Sequence, residues 1–127
     1  MSLLFSVLIS IFFGVQNDWP VYFENDQIKI SFKDVICDDI KNGVSFEYYM
    51  IEVKNKTNET LVINYYLGDQ KHEENKVAFI LNPLEIKKGN CGYNPVKLKL
   101  FKAETLNKKS QNSVKFSLNN IEIIEVY

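Results

Sequence analysis

A chain of 127 residues has room for one domain, and with 46% hydrophobic and 24% charged residues it can bury a core rather than stay disordered. The formal net charge of -1 speaks against nucleic acid or an anionic membrane as partner, since both call for a basic patch. All 15 basic residues are Lys, so the bidentate fork that Arg offers to phosphate and guanine is missing as well.

The chain opens on "MSLLFSVLISIFFGVQND", with an apolar run from Leu3 to Val15. At ~1.5 Å rise per residue such a helix falls short of the ~30 Å hydrocarbon core, so it reads as the apolar region of a secretory signal and not as a membrane span. Residues 1–16 are therefore expected to be a signal peptide and residues 17–127 one β-sandwich domain. That places the protein in the periplasm or outside the cell, with no membrane insertion once the signal is gone. No Cys follows the run, so no lipid anchor is expected.

From Gln27 onward the hydrophobic period is two. "QIKISFK" sets Ile28, Ile30 and Phe32 on one face, "LVINYYL" does so with Leu61, Ile63 and Tyr65, and "VAFIL" with Val77, Phe79 and Leu81. "VKLKLFK" and "VKFSL" continue the pattern through Leu100 and Leu118. In "VSFEYYMIEVK" the set Val44, Phe46 and Tyr48 is out of step with Tyr49, Ile51 and Val53, which predicts a β-bulge near Tyr48 and Tyr49. A second bulge is predicted in "FSLNNIEIIEVY", where Ile121 and Ile123 fall out of step with Phe116 and Leu118; this stretch reads as the closing strand. Turn chemistry separates the runs at Asn42-Gly43, Asn55 to Asn58, Gly68-Asp69, Asn82-Pro83, Gly89 to Pro95 and Asn107 to Asn112. The fold class is all-β, an immunoglobulin-like antiparallel β-sandwich of about seven strands. "NKTNET" then joins two antiparallel strands as a hairpin turn, and its Asn-X-Thr triplets at Asn55 and Asn58 read as turn residues ahead of glycan acceptors.

Cys37 and Cys91 are the only cysteines, and in an oxidising compartment they are a candidate pair. Cys37 reads as lying just after the first strand. The pairing requires "VAFIL" and "LEIKK" to be separate strands divided by Pro83, because only then do the two loops share a pole. His72, the single His, sits in "GDQKHEENK", read as a solvated hairpin tip, and neither it nor "CDDIKN" has the spacing of a metal site. No nucleophile motif, phosphate loop or dinucleotide fingerprint is present, so no catalytic residue, metal or cofactor is assigned. Tyr48-Tyr49 and Tyr65-Tyr66 are adjacent, and one of each pair must point away from the core. Tyr48 and Tyr66 are the candidate ligand-contact aromatics, able to stack a sugar or anchor a protein.

Val53-Lys54-Asn55 before a Thr-rich turn, "FILNP", Gly89-Asn90-Cys91, "LKLF" and "FSLNNI" together resemble small exported immunoglobulin-like β-sandwich proteins of AT-rich Gram-negative bacteria, a group without assigned activity. The resemblance implies a fold and a compartment. The expected function is a non-catalytic binding or interaction module for a protein or glycan ligand. Alternatives are a carbohydrate-binding accessory module, which demands a coplanar strip of exposed aromatics, and a secreted inhibitor or immunity protein, which demands a projecting loop at 68–76 or 104–113. A small hydrolase would need two pocketed carboxylates. Lys29 and Lys33 on "QIKISFK", taken as an edge strand, favour a monomer.

Overall fold

The computed structural model describes residues 19–39, 41–68, 71–104 and 115–126. The signal expected at 1–16 lies outside the described residues, as does most of the candidate loop 104–113. The described chain forms strands β1 (Val21–Glu24), β2 (Ile28–Asp39), β3 (Val44–Asn55), β4 (Leu61–Leu67), β5 (Lys76–Leu81), β6 (Ile86–Lys88), β7 (Lys99–Glu104) and β8 (Leu118–Glu125). They make two antiparallel sheets packed face to face, as the period-two pattern demands. One is five-stranded, in the order β1-β2-β3-β6 with β7 also on β3; the other is three-stranded, β5-β4-β8.

Alternation decides what lies between the sheets. Leu61, Ile63, Tyr65 and Leu67 of β4 are buried in turn, and so are Val77, Phe79 and Leu81 of β5. Opposite them stand Ile28 and Ile30 of β2 and Tyr49, Ile51 and Val53 of β3. Each such side chain contributes about 1.5–3 kcal/mol through apolar burial. One end of the core is aromatic: Phe116 stacks on Phe32 at 4.1 Å and meets Tyr22 and Tyr49 edge-on.

The stretch after Val53 is not a hairpin. β3 and β4 belong to different sheets, so "NKTNET" carries the chain from one layer to the other. Asn55 makes the crossing possible. Fully buried, it donates Nδ2 to the carbonyls of Glu59 (2.7 Å), Asn82 (3.0 Å) and Leu81 (3.3 Å), and its Oδ1 accepts from Thr57 N and Oγ1, both 2.8 Å. The side-chain-to-backbone bonds expected of a turn are present, but they tie two crossings together, since Asn82 begins the return from β5 to β6. With Nδ2 so engaged, Asn55 cannot carry a glycan in this fold. The return places β5 and β6 in different sheets, as a shared loop pole requires, and turns at Pro83 with Leu84 at φ +60°.

Of the two predicted bulges, the closing strand has one. Asn64 pairs Glu122 while Tyr66 pairs Asn119, which leaves one extra residue on β8 near Asn120, whose φ is +54°. β3 has none against β2, with which it stays in register from Ile28↔Asn55 to Asp39↔Val44. Its two apolar phases serve two faces: Tyr49, Ile51 and Val53 the core, Phe46 and Tyr48 the outer surface. The irregularity lies on the partner strand, where Lys102 of β7 is extra between Phe101↔Tyr48 and Ala103↔Glu47. The freed Lys102 ammonium bonds Asp34 at 2.8 Å and Glu47 at 3.3 Å. Tyr22 is likewise extra on β1, and its hydroxyl exchanges hydrogen bonds with the Leu118 main chain of the opposite sheet. β1 also takes the edge position expected for "QIKISFK", so β2 is an inner strand.

Candidate functional site

The outer face of the five-stranded sheet carries the cluster around Tyr48. The register sets Val35 and Phe101 on either side of Tyr48, and Cys37 beside Phe46. Successive residues of a strand face opposite ways, so Tyr49 enters the core and Tyr48 cannot. Tyr48 meets Phe101 edge-on, at 5.8 Å and 77°, and Phe101 meets Phe46 at 6.2 Å and 59°. Phe101 remains 46% exposed. Its outward aim was legible, because in "VKLKLFK" it is out of step with Leu98 and Leu100.

A loop between β6 and β7 rises over this face. Its base is closed on β3, where Gly89 N donates to Ile51 O and Ile51 N to Leu98 O, each 2.9 Å. Gly89 is needed there, since a Cβ would stand 2.1 Å from the Leu98 carbonyl oxygen. The loop is then held by its own side chains. Asn94 Oδ1 accepts from Asn90 N at 3.0 Å, Asn94 Nδ2 donates to the Asn90 and Gly92 carbonyls at 2.9 and 2.8 Å, and Asn90 Oδ1 accepts from Gly92 N at 2.8 Å. Asx bonding of this kind replaces the ladder bonds that a loop lacks. Lys99 reaches up to the Cys91 and Gly92 carbonyls at 3.4 and 3.2 Å and holds its ammonium 5.0 Å from the Tyr48 ring centre. Tyr93 at the loop tip is 87% exposed.

The Cys37–Cys91 disulfide staples this loop to the sheet, with 5.5 Å between the Cα atoms. Cys37 stands inside β2, not in a connection after it, so the bond reaches from strand to loop on the outer face and leaves the core cluster untouched. Two hollows flank Tyr48. One of about 380 Å³ opens toward the β2–β3 turn with Asp38, Asp39, Lys41 and Phe46; the other, of about 390 Å³, lies under the loop with Tyr93, Asn94, Lys97, Lys99 and Phe101. Trp19 occupies another part of the same face, with the Lys88 and Lys33 ammonium groups 4.6 and 5.8 Å from its ring centre.

Tyr66, the other candidate aromatic, is not brought to Tyr48. It lies on β4, opposite Lys76 and Asn119, on the outer face of the other sheet. His72 and Glu73 sit exposed on the β4–β5 connection, where Glu73–Asn75 form one 3-10 turn. Two carboxylates do converge, Asp34 and Glu47, on the Lys102 ammonium between them; the hydrogen bond to Asp34 raises the Lys102 pKa above its ordinary value. Sequence reading missed Tyr93, Phe101 and Lys99 as site residues, because Phe101 and Lys99 reach Tyr48 through the non-local pairing of β7 with β3, and Tyr93 through the closed loop and its disulfide. Comparison with protein-family models, curated proteins and solved structures finds no match.

Proposed function

We propose that the chain is an exported, non-catalytic interaction module whose partner docks on the outer face of the five-stranded sheet, around Tyr48. One observation carries this reading: Phe101 stands exposed beside Tyr48 on a sheet face, and Tyr93 stands exposed above them on a loop locked by a disulfide and a closed set of Asx bonds. Aromatic anchors with few rotamers, held in place before binding, are what protein partners use as hot spots. The edge-on rings of Tyr48 and Phe101 favour a protein over a glycan, since a sugar platform needs a coplanar strip. Tyr66, on the other sheet, cannot extend the cluster into such a strip. A disulfide is compatible with an oxidising compartment, which supports export.

Site-specific photo-crosslinking in the native host tests the reading. A benzophenone side chain introduced at Tyr93 or Phe101 should yield a discrete adduct, while one at Ile80, 56% exposed on the opposite sheet, should not. Adducts confined to position 80, or none at either face, would reject it.

A further inference from the structure

We propose that the docking face takes an acidic polypeptide segment, in which carboxylates flank an exposed apolar side chain. This rests on the reading of the Tyr48 face as the partner site.

The strand register fixes which charges share the face with Tyr48. Lys33 and Lys99 stand on either side of Met50, Lys88 stands beside Glu52, and Lys29 faces Lys54, all outward like Tyr48. Glu52 is the single carboxylate within this group. The other described carboxylates of the face lie at its ends: Asp39 at the β2–β3 turn, where it shares a hollow with Lys41, and Glu24 opposite Lys29, where Lys56 holds it at 2.9 Å. Asp38 points to the opposite face, bonded to the Ser45 hydroxyl. The centre of the face is therefore basic, although the whole chain carries a net charge of -1.

The central ammonium groups keep that charge available. Lys99 donates to the Cys91 and Gly92 carbonyls, Lys97 donates to the Glu74 carbonyl at 2.6 Å, and Lys33 and Lys88 lie over the Trp19 ring. Carbonyls and rings orient a cation without neutralising it, and none of these four lysines forms an ion pair with a described carboxylate. The same cations border apolar surface. The hollow of about 390 Å³ under the loop sets Lys97 and Lys99 among Tyr48, Tyr93 and Phe101, and a smaller one of about 140 Å³, which shares Asn94 with it, sets Lys88 beside Pro95 and Val96. Neither has a carboxylate in its lining.

Cations beside apolar hollows select the ligand. A basic segment is repelled, and a neutral one leaves the lysines unanswered, so charge complementarity favours an anion. Among anions, a nucleic acid or a uronate polymer gains most from open ring faces on which to stack. Here the Lys99 ammonium holds the Tyr48 face at 5.0 Å and the Lys88 ammonium the Trp19 face at 4.6 Å. An acidic peptide needs no such platform. Its carboxylates reach the lysines, and its apolar side chain enters the hollow lined by Tyr93 and Phe101.

The test is a titration of the full 15N-labelled chain at about 50 mM salt, where screening does not hide the contribution of charge. The probes are acetyl-Glu-Gly-Phe-Gly-Glu-amide, its analogues with Gln or with Lys at both ends, and two other dianions, thymidine trinucleotide and digalacturonate. The Glu peptide should shift the amide signals of Gly92, Tyr93, Asn94 and Lys99 and bind about fivefold more tightly than the Gln analogue, with the Lys analogue weaker still. Lys97→Gln, at an exposed side chain, should weaken the Glu peptide and Glu52→Gln should strengthen it, each about twofold, while Tm stays unchanged. Equal binding of the Gln analogue, unchanged affinity in both variants, or tighter binding of either other dianion overturns the inference. Should no peptide shift these signals while the crosslinker at position 93 or 101 still captures its partner, the acidic chemistry is wrong and the docking face stands. Absence of adducts at both positions removes both.

Discussion

The Tyr65 ring lies inside the sandwich, 6.0 Å from Phe79 and edge-on to it, and its buried hydroxyl finds no hydrogen-bond partner among the described residues. Burial pushes its phenol pKa well above the ordinary value, because the phenolate would lose its hydration inside the core. A folded-state pKa above the unfolded one contributes stability that is full below about pH 10 and is lost as pH rises beyond it. Lys102, raised by its hydrogen bond to Asp34, acts in the same direction over the same alkaline range. Tyr65→Phe should therefore raise stability at pH 7 by about 1–2 kcal/mol, by removing an unsatisfied hydroxyl, and should flatten the alkaline limb without abolishing it. Urea denaturation at pH 7 and pH 10.5 measures both effects, and a loss of stability at pH 7 would mean that the hydroxyl is partnered. Asn55 is the opposite case, a buried amide with every polar atom bonded. Asn55→Ala removes its bonds to both crossings and should cost about 2–4 kcal/mol by the same assay.

Turns and loops decide where the elements go, and one of them is strained. Leu84, exposed and at φ +60°, occupies a turn position that suits Gly. Leu84→Gly should stabilise by about 0.5–1 kcal/mol in thermal unfolding, with no packing lost. Gly89 is the converse: Gly89→Ala forces the loop base apart, and should lower Tm and erase the hollow under the loop together. A variant that keeps full Tm would show that the base relaxes freely. The strands themselves were legible, since period two in "LVINYYL" and "VAFIL" marks the inward residues directly. The bulge in β8 was legible too, from the slip between Leu118 and Ile121. What was hidden is the sheet to which each strand belongs. "NKTNET" has the composition of a hairpin turn, and only the distant carbonyls of Leu81 and Asn82 turn it into a crossing. For the same reason the phase change in β3 was misread as a bulge. A strand covered by a loop on its outer face can carry apolar residues in both phases, and local alternation cannot see that loop. The site shares this limit: Tyr48 was visible as a candidate, but Tyr93 joins it only through Cys37 and Cys91.

At the scale of the whole molecule, the disulfide and the core are separate sources of order. The core cluster contains neither Cys37 nor Cys91; it joins the sheets, whereas the disulfide joins a loop to the outside of one sheet. A cross-link across 54 residues of chain contributes on the order of 4 kcal/mol in the chain-entropy model, whatever it touches in the folded state. Its loss should therefore lower global stability while leaving the sandwich as the folded form. The local effect is larger, because above its base at Gly89 and Leu98 the unstapled loop is held by its Asx bonds, the two Lys99 contacts and the Lys97 bond to the Glu74 carbonyl, all at exposed positions. Hydrogen exchange of a Cys37→Ser/Cys91→Ser variant separates the two effects. Amides of residues 90–97 should exchange at least tenfold faster than in the disulfide form. Those of Ile63, Tyr65 and Phe79 should change only as much as the global loss dictates. Uniform loss across β4 and the loop would mean that staple and core form one cooperative unit, in which case reduction abolishes the fold together with the binding face. Preserved protection in β4 beside an open loop would instead make Cys37–Cys91 the element that shapes the docking face, on a sandwich that folds without it.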